Sequence, residues 1–161
     1  MKIRLLLTLA GFAIIFTLPA FAQQKATVDP QIEQQIRALM SKYDDAINRH
    51  DAAAVAALYT QDGVSGTSGM PHFGNFHGRQ AIEKGYAQFL QSYHMNNHIT
   101  SVNRVSAVGN EIRSTGRWSA IDYDYGITTN HEGYYSSIVV SEGGTWKIRK
   151  SSFGQSGPGT N

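Results

Sequence analysis

Few side chains in this sequence could move a proton, and His98 is the one best suited to do so. It opens a stretch rich in Val, Thr and Ile, and a neutral imidazole is a base near neutral pH without special tuning. Asp122 has the parity of Trp118 and Ala120 on a predicted strand, so it faces the same side as they do. Beside His98 it would complete an acid/base pair. Two plainer readings compete: a half-buried histidine hydrogen-bonded at a cavity rim, and a carboxylate in the strand-end loop Asp122-Tyr123-Asp124-Tyr125-Gly126. His131 and Tyr135 share a face of the next strand, and alternation alone leaves open whether that face lines a pocket or lies outside. Metal ligation is not expected. His72 and His77 sit in a Gly-rich loop, His94 and His98 straddle a helix-to-strand change, and no carboxylate lies near either pair in sequence. The rings Tyr59, Phe73, Phe76, Tyr86, Phe89 and Trp118 read as core. Some of them would line a pocket for a small apolar or aromatic ligand. No cofactor motif is present: no Gly-x-Gly-x-x-Gly after a strand, no phosphate-binding loop, no nucleophile elbow.

The elements that must position these groups are legible from periodicity. Ile32, Ile36, Leu39, Met40, Tyr43 and Ile47 make one helical stripe, with Asp29 as N-cap and Pro30 at the first helical position. Asn48-Arg49-His50 breaks it. Asp51 caps a second helix, Ala52 to Tyr59, which ends before Asp62-Gly63. An extended piece near Val64 to Thr67 leads into a Gly- and Ser-rich loop up to Gly78. A third stripe, Ile82, Tyr86, Phe89, Leu90 and Tyr93, marks a helix from Arg79 to Tyr93. Strands then follow at His98–Val108, Glu111–Tyr123, Thr128–Val140 and Thr145–Phe153, joined by short turns. Helices first and hairpin-connected strands after predict an α+β fold: three N-terminal helices packed on a curved antiparallel sheet, a cone with an open mouth.

The first 22 residues read as a secretory signal peptide. Lys2 and Arg4 precede an apolar run, Leu5 to Leu18, too short for the roughly 20 residues that span a bilayer. Ala20-Phe21-Ala22 is a cleavage site. This divides the chain into 1–22 signal peptide, 23–28 lead-in, 29–153 domain and 154–161 flexible tail, with a secreted or periplasmic product that leaves the membrane after cleavage beyond Ala22. Two of the 14 basic residues lie in that segment, so the remaining basic residues balance the 12 acidic ones. No basic field is left to attract nucleic acid. There is no cysteine, which excludes a disulfide framework and a thiolate nucleophile.

The pattern Tyr43, Asn48-Arg49-His50-Asp51 and Ala57-Leu58-Tyr59-Thr60-Gln61-Asp62-Gly63-Val64 resembles the opening of the nuclear transport factor 2-like superfamily. That group includes the SnoaL-like polyketide cyclases, ketosteroid isomerases and scytalone dehydratase. His77-Gly78-Arg79-Gln80-Ala81-Ile82, His98-Ile99 with Val108-Gly109-Asn110, and Trp146-Lys147-Ile148 resemble later parts of the same domain. The resemblance covers nearly all of the chain after the leader and implies the cone fold, a cavity and a homodimer through the outer sheet face.

For chemistry the resemblance implies less. It makes Tyr43 a hydrogen-bond donor to a developing enolate and His98 an inward-facing base. The isomerase carboxylates have no counterpart, because no Asp or Glu lies between Asp62 and Glu83 or from Gly133 to Ser141. A gap-free count puts the helix-one Tyr-Asp pair of the dehydratases at Ile47-Asn48, where it is absent. Two readings follow. One is an exported domain that binds a small, mostly apolar molecule among Tyr59, Phe76, Tyr86, Phe89, Trp118, His131 and Tyr135. The other is an isomerase, dehydratase or cyclase with His98 as base, Tyr43 as donor and Asp122 as orienting group.

Overall fold

The structure is a computed structural model that describes residues 28–68, 74–124 and 126–156. The predicted leader and most of the tail lie outside these residues, as do His72 and Phe73.

Helix α1, Pro30–Asn48, starts as its sequence dictates: the Asp29 side chain accepts from the Gln31 amide at 2.7 Å, and Pro30 occupies the first turn. Its stripe buries Ile36, Leu39, Met40, Tyr43, Ala46 and Ile47. The chain turns at His50, which takes a positive φ of 54°. Asp51 then caps α2 by accepting from the Ala54 amide at 2.9 Å. Helix α2 is shorter than its sequence suggests, Ala52–Ala57. Lys147 donates to the Ala57 carbonyl at 2.7 Å and the Ile148 amide donates to Leu58 O at 2.8 Å. The sheet thus captures the chain at the helix end, and strand β1, Tyr59–Ser68, begins well before Val64.

Strand β2, Phe76–His77, pairs with β1. Two residues are too few to show alternation, which hid it in the sequence. Helix α3, Arg79–Ser92, buries Ile82, Gly85, Tyr86 and Leu90. Strands β3 (Met95–Val108), β4 (Glu111–Asp124), β5 (Ile127–Glu142) and β6 (Thr145–Gln155) form a meander. The sheet order is β2-β1-β6-β5-β4-β3. It is mixed rather than wholly antiparallel: β1 joins β6 in parallel. Short turns force antiparallel pairing within the meander, whereas β1 and β6 are separated by α3 and four strands, ample chain for a crossover.

The sheet's inner face carries Trp118, Ala120, Tyr135 and Phe153, all buried. His131 shares the parity of Tyr135, so it belongs to this face as well. The outer face carries Arg117, stacked over Tyr134 at 5.0 Å.

Strand β3 is a sheet edge, and every second residue turns its backbone away from β4. Helix α1 covers those groups with side chains. Arg37 donates to Val102 O at 2.7 Å, Asp44 accepts from the Thr100 amide at 2.9 Å, and Asn48 holds both backbone groups of His98. Just beyond the helix, His50 Nε2 donates to Met95 O at 2.9 Å. These bonds fix the helix against the strand that carries the candidate base.

Candidate functional site

His98 is buried, 5 % exposed, and its ring points inward from β3. Its Nδ1 lies 2.9 Å from Asp44 Oδ1. Asp44 also accepts from Thr100 Oγ1 at 2.6 Å and, through Oδ2, from the Thr100 amide. A carboxylate only accepts, so Nδ1 of His98 carries a proton, and in the neutral ring Nε2 presents its lone pair to the cavity. No hydrogen bond engages Nε2 among the described residues. The indole of Trp118 stacks on the imidazole, centroids 5.9 Å apart and 10° from parallel, which fixes the ring plane.

The carboxylate at His98 is therefore Asp44 and not Asp122. Asp122 sits two residues beyond Ala120 on the inner face, and its Oδ2 is 3.9 Å from His131 Nε2, too long for a hydrogen bond. Asp44 escaped the sequence reading because a gap-free count placed a Tyr-Asp pair at Ile47-Asn48. The pair present is Tyr43-Asp44, one turn earlier on α1. An acidic residue flanked by the buried positions Tyr43 and Ile47 was the available signal.

Tyr43 is held from the other side. Its hydroxyl lies 2.8 Å from that of Tyr86, which is 3.3 Å from Ser65 Oγ. Ser65 continues to Tyr59 and Ser151, which are 2.8 Å from each other. All five residues are buried. Run in one direction, with Tyr86 donating to Tyr43, this chain leaves the Tyr43 proton free for a ligand. The Tyr43 ring stacks on Phe153 at 5.5 Å and meets the His98 ring edge-on at 5.7 Å.

Tyr43 and His98 share one half-open cavity of about 350 Å³ of empty space, mouth included. Ile47, Met95, Phe89, Trp118 and Phe153 make its apolar walls, and Thr67 and Tyr86 complete it. Of the aromatic set expected to bind a ligand, Tyr86, Phe89 and Trp118 are on this lining. Tyr59 is not: it is fully buried behind the wall, within the hydroxyl chain. Phe76 lies in a separate groove with Phe89 and Tyr93, over Gly85, where any Cβ would strike its ring. Tyr135 packs beside Phe153 and bonds Ser114 at 2.9 Å, and His131 contacts Gln155 at 3.2 Å; neither lines the cavity. Among the described residues no group of three or more His, Asp or Glu is placed to hold a metal.

Burial pushes the hydroxyls of Tyr43, Tyr59 and Tyr86 above the usual tyrosine range. For Tyr43 the hydrogen bond from Tyr86 works the other way and favours its ionised form, whereas the same bond raises Tyr86 further. Tyr43 is thus the end of the pair better suited to share its proton. The raised values have a consequence for stability. Below about pH 10 both folded and unfolded tyrosines keep their protons; above it the unfolded chain loses them first. The denaturation midpoint is expected to fall from about pH 10 upward, steeply because four tyrosines contribute, burial raising Tyr135 as well. The share of tyrosinate absorbance that belongs to the buried hydroxyls should rise with unfolding and not before. Tyr59→Phe would lessen the slope.

A family profile described as the SnoaL-like domain matches residues 31–152, and the chain belongs to that family. Solved structures agree on the fold. A nuclear transport factor 2-like protein with a cystatin-like fold from Novosphingobium aromaticivorans is 16 % identical, TM-score 0.67, covering 81 % of this chain and 85 % of its own. A ketosteroid isomerase-like protein from Erwinia carotovora is 18 % identical, TM-score 0.67, over 81 % and 100 %. A cystatin-like-fold protein of unknown function from Nostoc punctiforme is 12 % identical, TM-score 0.69, over 81 % and 95 %. No curated protein matches the chain.

Proposed function

We propose that this SnoaL-like domain is a cofactor-free enzyme of the isomerase, dehydratase or cyclase type, acting on a small, mostly apolar molecule in the cone cavity. His98 Nε2 takes a proton from carbon beside a carbonyl, Tyr43 donates a hydrogen bond to the oxygen where charge develops, and Asp44 holds the imidazole in the required tautomer. The observation that carries this reading is the 2.9 Å bond between His98 Nδ1 and Asp44. A binding role without catalysis drew its support from the missing isomerase carboxylates; Asp44 does not replace them, but it gives His98 the acidic partner that a histidine base uses. Export to a periplasm and pairing of two copies through the outer sheet face complete the proposal. The exposed Ile99 and Tyr134 support the second point.

The test is a ligand screen by thermal shift on the chain from Gln23. Aromatic ketones and phenols are expected to raise the melting temperature, and the rise should shrink in both Tyr43→Phe and His98→Ala. A hit that stabilises both variants as well as the wild type would place the ligand elsewhere and remove the proposed role from this cavity.

A further inference from the structure

The hydrogen bonds between α1 and β3 divide into two kinds. Arg37 and His50 each touch one carbonyl. Asp44 and Asn48, one turn apart on the helix, converge on the residues 98–100. Asp44 grips the His98 ring and both Thr100 groups. Asn48 grips the His98 backbone: its Oδ1 accepts from the amide at 2.7 Å and its Nδ2 donates to the carbonyl at 2.9 Å. An amide side chain has one acceptor and two donors, so it reproduces what a neighbouring strand would offer a single residue. It does so where β3 is irregular. The pairing with β4 shifts between Asn96 and Ile99, and Asn97 between them takes a positive φ of 52°. An extra residue in one strand re-aims the side chains that follow it.

We infer that Asn48 is a positioning residue for His98: it fixes the backbone of the bulge so that the imidazole stands within reach of Asp44 and keeps Nε2 towards the cavity. This rests on the reading of His98 as base. The helix, rather than the sheet, then sets where the base sits. Asp44 alone does not do this, because it holds the His98 ring at one atom and the backbone only at Thr100, beyond the bulge. Asn48 itself is exposed, so its amide serves its two bonds and not packing.

The experiment is long-range proton–nitrogen NMR of the histidine rings in the uniformly labelled protein, with amide exchange measured on the same samples. The wild type should show His98 almost wholly as the Nδ1–H tautomer and a protected His98 amide. In Asn48→Ala the His98 amide is expected to exchange at least about tenfold faster, the loss of roughly one hydrogen bond, and the Nε2–H share should rise several-fold. The Thr100 amide, held by Asp44, should stay protected, which shows that the strand has not simply frayed. Asn48→Asp keeps an acceptor for the amide but sets a second oxygen against the His98 carbonyl. It should retain amide protection and still perturb the tautomer. If Asn48→Ala leaves the tautomer as in the wild type, Asn48 only covers the edge and the inference is overturned. A wild type already in the Nε2–H form is a different failure: it removes His98 as the base, and this inference with it.

Discussion

Asp44→Asn is expected to lower any turnover that depends on His98 by about 10²–10⁴-fold while leaving the protein folded. Asparagine has the size of aspartate, and its one oxygen, placed as Oδ2, can still accept from the Thr100 amide at 2.9 Å, while the Thr100 hydroxyl, which donates to Oδ1 at 2.6 Å, can turn to accept from the new NH2. Its amide group would then face His98 Nδ1 as a donor. The imidazole would answer by moving its proton to Nε2, and the base would face the cavity already protonated. Binding of an apolar ligand should change little, because the walls are untouched, so the loss should appear in kcat rather than in KM. Asp44→Ala is the contrasting variant. It leaves Thr100 and His98 donors without an acceptor and should cost about 3 kcal/mol or more of stability. Steady-state rates beside urea melts of the two variants separate the roles. Full activity in folded Asp44→Asn would mean that the dyad does no chemistry.

Gly133→Ala should cost about 3 kcal/mol or more, near the upper end for overpacking. A Cβ at this position would run into the backbone carbonyl of Gly154 on the neighbouring strand and come within 2.6 Å of the Trp118 indole nitrogen. That nitrogen donates to the same carbonyl at 3.2 Å. The clash is with backbone on one side and with a buried ring on the other, so neither partner can swing away. Because Trp118 stacks on His98, the substitution should disturb the site even in molecules that remain folded. The urea midpoint is the measure, and a loss under about 1 kcal/mol would show that the β5–β6 contact yields more readily than its packing implies.

The helices were legible because each signal was local. Asp29, Pro30 and the stripe from Ile32 to Ile47 specify α1 without help from the rest of the chain. The meander was legible for the same reason: turns too short for crossovers leave one pairing sense. What escaped depends on contacts between distant residues. The end of α2 is set by Lys147 and Ile148, far along the chain. The parallel pairing of β1 with β6 has no signature inside either strand. The site follows the same rule. Tyr43 and His98 stood out by residue type, but the partner of His98 lies 54 positions away on a helix, and only the register of α1 against β3 reveals it. Asp122 had the right parity on its own strand, yet parity fixes a face and not a distance. Ser65 and Ser151 carry no signal of their own in the sequence, although they complete a buried chain of hydroxyls.

The most direct test of the account is proton exchange, since it asks for the first chemical step without requiring the natural substrate. Enolisable ketones, 2-tetralone among them, would be incubated with the protein in D₂O and the loss of protons beside the carbonyl followed by NMR. Exchange faster than buffer is expected with the wild type, lowered by about 10²-fold or more in His98→Ala and also reduced in Tyr43→Phe and Asp44→Asn. Exchange with the wild type no faster than with His98→Ala, for every ketone tried, would contradict the claim that His98 is a base in this cavity.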